Sequence, residues 1–288
     1  MKFKKYFKKA LQYFLFLAII VHFTIKDTFY ISGLLFYATP LPLIVLGLLF
    51  LLLFVKAYAR KYYVIFAFII AIIWFNRSYI SSPEVATENS LEVVLWNGYR
   101  ISNFEDAFSE NKSIPDVMVI IECDEGEYQK IKAKYPNYHF ELTEKQVGIF
   151  SKTPINIHTN VKTKDHVVVV HFSTNNINFY AIDVSSDLRH FRKPMLKSIL
   201  SEVKTEDKTI ILGDFNTPFE SLFFKNFKKN YQHAFTEKGN GFRETWFWNF
   251  PILALDHIWL SHDLEILKTQ KIPTWKSDHS MLKMYLKK

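Results

Sequence analysis

The sequence predicts a mixed α/β domain with two packed sheets, preceded by about three membrane-spanning helices. Two observations carry this prediction. Three apolar runs occupy the first 80 residues, and short β-branched or aromatic runs bounded by Gly, Pro, Asn or Asp recur through the rest of the 288-residue chain. Such runs, with a few helical stretches between them, are typical of domains in which helices cover sheets. The second part is also long enough to bury a substantial core.

Charge is unevenly distributed along the chain. Of its 36 basic and 28 acidic residues, residues 1–80 contain ten basic side chains and a single acid, Asp27, a net charge of +9. The remaining 26 basic and 27 acidic side chains give residues 81–288 a net charge of −1. A basic protein suggests nucleic-acid binding. Here the positive charge belongs to the N-terminal segment, so net charge does not support nucleic-acid binding by the rest of the chain. Binding through a local basic patch stays an open alternative.

The three apolar runs are predicted to be membrane helices near residues 11–25, 31–55 and 62–75. A helix needs about 20 residues to cross the hydrocarbon layer, with about 17 as the lower limit. The middle run passes this test despite Pro40 and Pro42, whereas the other two are marginal and need flanking Tyr, Trp or Lys to reach the interfaces. The alternatives are a cleaved signal peptide for the first run and a buried helix of a soluble domain for the third. No small-residue cleavage site follows the first run, which favours its retention.

Lys and Arg in the short loops predict the orientation. The basic N-terminus (Lys2–Lys9) and the loop Lys56–Lys61 are expected in the cytoplasm. Three spans then put the residues after Phe75 on the extracytoplasmic side of a multi-pass membrane protein. If one of the three runs does not cross the membrane, the predicted location of the residues after Phe75 changes to the cytoplasmic side.

The predicted anchor (residues 1–80) is followed by a polar linker with one proline (81–90) and by a single domain (91–288). Eight runs in this domain have the composition of strands. They are Leu91–Trp96, Val117–Ile121, Val147–Phe150, Val167–Phe172, Ile177–Ile182, Thr209–Leu212, His257–Leu260 and Met281–Leu286. Helices are predicted over Gly126–Tyr135, Lys193–Val203 and Glu220–Phe227. Strands at irregular spacing with few helices favour two sheets in one mixed domain.

Polar side chains stand at the edges of five of the apolar runs. They are Asn97, Glu122, the Asp214 and Asn216 of Gly-Asp-Phe-Asn, the Asp256 of Asp-His-Ile, and the Asp278 and His279 of Ser-Asp-His. A fold that brings strand ends together would converge these groups. Mg²⁺ prefers oxygen ligands, and a His beside a carboxylate can give a proton or a hydrogen bond to a phosphoryl group. The set indicates metal-assisted phosphoryl chemistry, although each residue alone is more often an ordinary turn residue.

The order of these motifs resembles the endonuclease/exonuclease/phosphatase superfamily. Trp-Asn, a strand ending in Glu, Gly-Asp-Phe-Asn, Thr-Trp, Asp-His-Ile and Ser-Asp-His follow one another over residues 91–288. Members include DNase I, apurinic endonucleases, neutral sphingomyelinases and inositol polyphosphate phosphatases. The resemblance implies a DNase I-like α/β sandwich and a divalent cofactor, Mg²⁺, with Mn²⁺ or Ca²⁺ as alternatives. The hydrophobic segment before the domain is similar to that of bacterial membrane-anchored members.

The resemblance also implies metal ligands. Glu122 would be the main Mg²⁺ ligand, with Asn97 nearby and Asp278 as a second metal contact. These positions supply carboxylate and amide oxygens, which are the ligands that hard divalent ions take.

The catalytic roles are implied in the same way. Asp214 would orient or deprotonate the attacking water, and Asn216 would hold that water or the phosphate. Asp256 would pair with His279, which would contact the scissile phosphate.

One position departs from the family pattern. After the strand Ile177–Ile182, many relatives place a His or a Tyr that contacts the phosphate, and this chain has Asp183. A carboxylate beside a phosphate is unfavourable unless it binds metal or pairs with a cation. Arg189 and Arg192 lie just downstream as such partners or as phosphate contacts, while a solvated surface loop explains these charges equally well. This position leaves the substrate class open.

The aromatic segment Phe242–Phe250 and the lone Cys123 carry less information. Most of the aromatic residues are expected to pack in the core or to anchor a loop, with stacking on a base or contact with lipid as alternatives. The Trp of Thr-Trp is expected to be structural. A single cysteine excludes an intramolecular disulfide, and its apolar neighbours favour a packed residue over a reactive thiol.

The predicted function is a membrane-anchored phosphodiesterase or phosphatase that hydrolyses its substrate by attack of water. The substrate is a phosphate ester, with nucleic acid and lipid headgroup both left open, and no obligate protein partner is inferred. The alternative is a membrane-anchored binding protein that kept the fold and lost catalysis. Asp183 favours this alternative, whereas the retained polar residues at the strand ends argue against it.

Overall fold

The computed structural model describes residues 2–83, 85, 87–204 and 207–288. The chain forms two compact units, one made of Met1–Tyr79 with Glu220–Leu222, and the other of Ile80–Phe219 with Phe223–Lys288. Glu84 and Ala86 of the predicted linker lie outside the described residues.

The N-terminal unit is helical. Its helices are α1 (Lys2–Ile20), which continues as a π-helical turn (Val21–Ile25), α2 (Tyr30–Ala38), α3 (Leu41–Phe50), which continues as a 3-10 turn (Leu51–Leu53), and α4 (Ala57–Ser78). Two helices, Lys4–Ile25 and Ala57–Ser78, have 22 residues each and are long and apolar enough to cross a membrane. The pair Tyr30–Ala38 and Leu41–Leu53, bent by 67°, adds a third candidate span if the pair counts as one.

The lengths of these helices reverse the order in which the apolar runs were expected to be able to span a membrane. The middle run, expected to span most easily, is the broken one, because Pro40 lacks a backbone N–H and caps a new helix that begins at Leu41. The third run is longer than expected, since α4 already begins at Ala57 and takes in the basic and Tyr residues ahead of the apolar stretch.

Helices α1, α3 and α4 share an apolar core that includes Leu15, Ile44, Leu48 and Ile70. Gly47 of α3 faces Leu15, and a Cβ at this glycine would lie 2.7 Å from the leucine side chain. The small residue therefore allows α1 and α3 to approach closely, as at interfaces between membrane helices.

The second unit contains two six-stranded sheets. The strands in chain order are β1 (Tyr79–Ser81), β2 (Ser90–Asn97), β3 (Val117–Ile121), β4 (His139–Leu142), β5 (Gly148–Ser151), β6 (Asn156–Lys162), β7 (Val167–Thr174), β8 (Ile177–Val184), β9 (Thr209–Asp214), β10 (Gln232–His233), β11 (Asn240–Phe242), β12 (Asp256–Leu260), β13 (Ile266–Ile272) and β14 (Met281–Lys287). One sheet has the order β10-β12-β9-β8-β7-β6, and the other β13-β14-β2-β3-β5-β4. The pairs β2–β3 and β8–β9 are parallel.

Helices and turns cover the outer faces of the sheets. They are α5 (Phe104–Asn111), α6 (Tyr128–Lys134), α7 (Arg192–Glu202), a 3-10 turn (Leu222–Phe224) and α8 (Lys225–Asn230). Helix α9 (Ala234–Lys238) instead contacts β12 and β13, and its Ala234 and Phe235 belong to the core between the sheets. The main core lies between the sheets, where Val93 and Val119 of one pack with Phe179 and Leu212 of the other. Separate clusters lie under α7 and α8 and under α5 and α6. The predicted two-sheet α/β sandwich is confirmed.

Candidate active site

Three carboxylates form a row across adjacent strands of the β8–β9–β12 sheet. Asp214 is the last residue of β9, and Asp256 is the first residue of β12. These two are partners in the antiparallel β9–β12 pairing, and Asp183 of β8 is the partner of Asp214 in the parallel β8–β9 pairing. Because partners in neighbouring strands present their side chains to the same face of a sheet, the register brings the three carboxylates to one edge.

Gly213 lets the strand that carries Asp214 reach this edge. Its φ is +152°, and a Cβ at this position would lie 1.9 Å from the carbonyl oxygen of Ile182 in the neighbouring strand. Only glycine tolerates that approach. On the other side of Asp214, the buried Phe215 ring packs against Phe224 and anchors the loop that follows. Backbone contact and packing thus explain the Gly-Asp-Phe part of the motif.

Asp214 is buried and held by amide donors. Its Oδ1 accepts a hydrogen bond from the Asn216 backbone N–H at 2.8 Å, and its Oδ2 accepts from Asn97 Nδ2 and Asn216 Nδ2, each at 3.0 Å. Burial, followed by the charge of the neighbouring Asp256, raises the pKa of Asp214 above its ordinary value, although His279 and the Asn216 N–H act in the opposite direction. A carboxylate with raised proton affinity is suited to accept a proton from water.

Asp256 and His279 form a buried pair. Asp256 Oδ2 lies 2.8 Å from His279 Nδ1, and the backbone N–H of His279 donates to Ser277 Oγ at 3.0 Å. Burial lowers the pKa of His279, but the charges of Asp256, Asp214 and Asp278 outweigh that effect and raise the pKa to about 10. His279 is therefore a cation at neutral pH, with Nε2 lying 3.9 Å from Asp214 Oδ2 and 4.0 Å from Asp278 Oδ1.

Ligand atoms of Asp214, Asp256 and His279 lie within 4.8 Å of one another, a spacing that could also hold a metal ion. The chemistry of the group favours proton transfer instead. The 2.8 Å contact between Asp256 Oδ2 and His279 Nδ1 is a hydrogen bond. That hydrogen bond already engages Nδ1 of His279 and one carboxylate oxygen of Asp256.

Oxygen donors suited to a hard divalent cation lie elsewhere in the site. Glu122 follows β3 in the left-handed region (φ 51°), and its Oε1 lies 3.3 Å from the Arg100 guanidinium. Asp278 Oδ2 accepts from Trp246 Nε1 at 2.8 Å, while its Oδ1 is buried without a hydrogen-bond partner among the described residues. Asn97 adds an amide oxygen. Oxygen donors of this kind suit a hard divalent cation, and a bound ion would satisfy the unpartnered Oδ1.

The three predicted substrate contacts, Asp183 within β8 and Arg189 and Arg192 after it, lie in different surroundings. Burial, followed by the charge of Glu122, raises the pKa of Asp183 to about 6. Arg189 is exposed and forms an ion pair with Asp187 at 2.6 Å. Arg192 is buried, and its Nε donates to the backbone oxygen of Asn216 at 3.0 Å. Its other guanidinium nitrogens also donate to carbonyls, so the geometry does not support the predicted phosphate contact of Arg192.

Three further residues belong to the site, and the sequence motifs predicted a role in the site for none of them. Ser277 Oγ donates to the Asn97 carbonyl at 2.7 Å, which joins the two segments. Trp246 holds Asp278 through Nε1. Ser277 belongs to the Ser-Asp-His motif and Trp246 to the Thr-Trp motif. The sequence therefore marked both positions but did not show which residues they contact. Arg100 lies in a loop without a motif, and its place three residues after Asn97 was the only signal.

Two stacked sheets, with an acid–histidine pair and oxygen donors at one edge, define an α/β sandwich whose polar site lies at the ends of its strands. A family model described as the endonuclease/exonuclease/phosphatase family matches residues 94–279, about two thirds of the chain. The chain belongs to this family. No curated protein sequence matches the chain.

Solved structures show the same fold at low sequence identity. A family protein from Bacteroides thetaiotaomicron is 15% identical with a TM-score of 0.50, over 68% of this chain and 97% of that one. A family protein from Bacteroides vulgatus is 14% identical with a TM-score of 0.51, over 69% and 99%. D. rerio TDP2 humanized by 14 mutations has the same identity, TM-score and coverage as the B. vulgatus protein. These similarities concern the fold alone.

Proposed function

We propose that this chain is a membrane-anchored, divalent-metal-dependent phosphoesterase that hydrolyses a phosphodiester or phosphomonoester by attack of water. The observation that carries the proposal is the buried Asp256–His279 pair, whose Nε2 lies 3.9 Å from the Asp214 carboxylate. An acid, a base and a positioned imidazole within one site are the groups that such a hydrolysis needs. Membership of a family named for nucleases and phosphatases supports phosphate-ester hydrolysis in general.

In this proposal Glu122, Asn97 and Asp278 hold the divalent ion, which we take to be Mg²⁺, with Mn²⁺ or Ca²⁺ as alternatives. A bound ion of this kind neutralises charge on the phosphoryl group and on the leaving oxygen. The unpartnered Asp278 Oδ1 and the partly exposed Glu122 carboxylate support this assignment. Arg100 adds a positive charge beside Glu122.

The remaining residues move and hold protons. Asp214 accepts the proton of the attacking water, and Asn216, bonded to Asp214, orients that water or the phosphate. His279 donates from Nε2 to a phosphoryl oxygen, while Asp256 keeps the imidazole protonated and fixes its orientation. Phosphoryl transfer asks for little covalent chemistry from the protein, so this positioning and charge are its main contributions.

Exposed apolar side chains lie on loops that carry site residues. Phe247 and Phe250 flank Trp248, whose backbone N–H donates to the Asp278 carbonyl, and Trp275 precedes Asp278 by three residues. They suit a substrate with an apolar or aromatic part, such as a lipid or a nucleobase. The net charge of −1 for residues 81–288 weakens the nucleic-acid alternative, because such binding depends on Lys and Arg contacts to phosphates.

A hydrolysis panel tests the proposal. The full chain in detergent with Mg²⁺ is assayed on plasmid DNA, RNA, bis-p-nitrophenyl phosphate, sphingomyelin and inositol phosphates. Asp214→Ala and His279→Ala should each lower the rate by about 10²-fold or more. The exposed Asp263 and His262 provide matched alanine controls that should keep full activity. Activity that survives both site substitutions rejects the site assignment.

A second candidate is a membrane-anchored binding protein that has lost catalysis. The observation that favours it is Asp183, a carboxylate next to Asp214 at a position where the family resemblance implies a His or a Tyr. A folded chain that hydrolyses nothing in the panel and binds no Mg²⁺ would support this candidate over the enzyme.

We also propose that residues 1–80 are a multi-pass anchor, 81–90 a linker and 91–288 the domain, with the domain on the extracytoplasmic side. The two 22-residue apolar helices and the basic loops around them support this arrangement. Alkaline phosphatase fused after Ser90 should be active if the third candidate span crosses the membrane. A silent fusion would overturn the three-span topology.

A further inference from the structure

The loop after β9 carries Asn216 and is held through two consecutive backbone carbonyls. The Asn216 oxygen accepts from Arg192 Nε at 3.0 Å, and the Thr217 oxygen accepts from His257 Nε2 at 3.0 Å. Arg192 and His257 come from different elements, α7 and β12, and both are buried. Asn216 itself has a φ of 45°, which is uncommon for a residue other than glycine, so its conformation depends on such contacts.

The protonation of His257 follows from a chain of hydrogen bonds. The backbone N–H of Thr236 can only donate, and it lies 3.2 Å from His233 Nδ1, so that nitrogen is an acceptor. Neutral His233 then carries its proton on Nε2 and donates to His257 Nδ1 at 3.2 Å. The proton of His257 must in turn be on Nε2, where it faces the Thr217 carbonyl. One capping N–H thus sets the tautomer of both rings.

The surroundings of the two imidazoles keep them neutral. Both are buried, and burial lowers the pKa of each. On His257 the effect of burial on the pKa exceeds the opposing effects of the Thr217 hydrogen bond and Asp256. The neighbouring cations Arg243 and Lys228 have smaller effects and lower the pKa of both rings. A neutral pair is what the directional chain requires, since a second proton on either ring would remove an acceptor.

Arg192 joins this loop to the preceding one. Besides Asn216, its guanidinium donates to the carbonyls of Ser185 at 2.9 Å and Ser186 at 3.3 Å, in the loop after β8. The side chain of Asn216 makes the same connection, since Nδ2 donates to the Val184 carbonyl at 2.8 Å. The loops after β8 and β9 are therefore fixed against each other.

We propose that Arg192 and His257, with His233 behind it, are positioning residues that set Asn216 against Asp214 for the reaction. This inference rests on the proposed phosphoesterase function. None of the three is assigned contact with substrate. They act by fixing the backbone at and just after Asn216. This keeps the side-chain amide of Asn216 at 3.0 Å from the Asp214 carboxylate.

The test uses the full chain and two replacements of His257. His257→Leu removes the donor to Thr217, whereas His257→Gln retains one at similar reach. The leucine variant should lose about 10- to 100-fold in kcat with KM changed less than twofold, and the glutamine variant should recover most of that loss. His262→Leu, at an exposed histidine, is the control. Equal losses in the leucine and glutamine variants, or a loss only in KM, would overturn the proposal.

Nitrogen NMR on histidine-labelled protein gives a readout that does not depend on activity. His257 should show a protonated Nε2 and an unprotonated Nδ1 at pH 7, and the reverse tautomer would refute the chain of hydrogen bonds. In His257→Leu the signals of His279 should stay in place, while the side-chain amide signals of Asn216 should shift. An unmoved Asn216 refutes the positioning role. If no substrate is hydrolysed, the proposed function fails while these signals still decide whether Asn216 is held as described.

Arg192→Lys gives an independent second variant. Lysine keeps the charge but presents one nitrogen, so it cannot donate to Asn216 and to Ser185 together. We expect a similar loss in kcat and a similar shift of the Asn216 amide signals. If His257→Leu does not fold, Arg192→Lys provides the test of the positioning role. A wild-type kcat together with unshifted Asn216 signals would overturn the role of Arg192.

Discussion

Replacing Asp256 by Asn tests the acid–histidine pair most directly. The substitution keeps the size of the side chain and removes its charge, 2.8 Å from His279 Nδ1. We expect the pKa of His279 to fall, because Asp256 is the largest of the influences that raise it. The imidazole would then be mostly neutral at pH 8, and the carboxylate would no longer fix its tautomer.

The magnitude follows from the distances in the site. The pKa of His279 is about 10 against 6.5 for a free imidazole, a difference of about 5 kcal/mol at about 1.4 kcal/mol per pH unit. Two unit charges 4 Å apart interact by about 4 kcal/mol at an effective dielectric constant of about 20. Asp256 can therefore supply most of the difference, and Asp214 and Asp278, at 3.9 and 4.0 Å from Nε2, supply the rest against the cost of burial.

Asp256→Asn should thus lower the pKa of His279 by about two to three pH units and kcat at pH 8 by about 10²-fold or more. Proton NMR titration of the imidazole measures the pKa, and steady-state kinetics on the best substrate of the panel measures kcat. Asp263→Asn, at an exposed carboxylate, should leave both unchanged. A His279 pKa that stays near 10 in the Asp256 variant would refute the reasoning.

Three further predictions concern the metal, acid stability and the thiol. Glu122→Gln should weaken Mg²⁺ binding at least about 10-fold by calorimetry, whereas the exposed Glu125→Gln should not; equal affinities would contradict the metal assignment. The folded pKa of His257, about 4, lies below the 6.5 of the free imidazole. Its contribution to the unfolding free energy, on the order of 3 kcal/mol, is therefore complete above pH 6.5 and lost as pH falls through 4. Urea unfolding of wild type and His257→Gln should converge over that range, and a constant difference would speak against it. Burial raises the pKa of Cys123 to about 12, so a disulfide-exchange reagent should label it only after unfolding; rapid labelling of the native chain would disprove this.

The sandwich was predictable because its central strands are apolar on both faces. Runs such as Val117–Ile121 are buried throughout and are continuous in sequence, so composition alone identifies them. The edge strand β6, in contrast, is exposed at all but one position and has no apolar pattern to detect. Helix α5 has only eight residues, although Asn103 and Asp106 form a capping box at its start that marks it in the sequence.

The motifs predicted which residues meet at the site but not what each one contacts. Asn97, Asp214, Asp256 and His279 do converge, and their roles in metal binding and catalysis stay predictions. Arg192 was expected to pair with Asp183, to contact a phosphate or to lie in a solvated loop, and instead it lies buried among backbone carbonyls. Its surroundings depend on how two loops from distant parts of the chain fold together, and no local pattern records that.

The row of Asp183, Asp214 and Asp256 across three paired strands has a consequence for how such a site can diverge. Strand pairing fixes the separation of neighbouring positions at about 4.5 to 5.5 Å, whatever the lengths of the loops. Insertions in the loops can then change the surroundings of the site while the three carboxyl groups keep their spacing. A single-residue insertion within β9 would do the opposite, because it would turn the Asp214 side chain to the other face of the sheet. Strand pairing thus sets the distances between these carboxyl groups, and the loops can change in length and sequence without altering them.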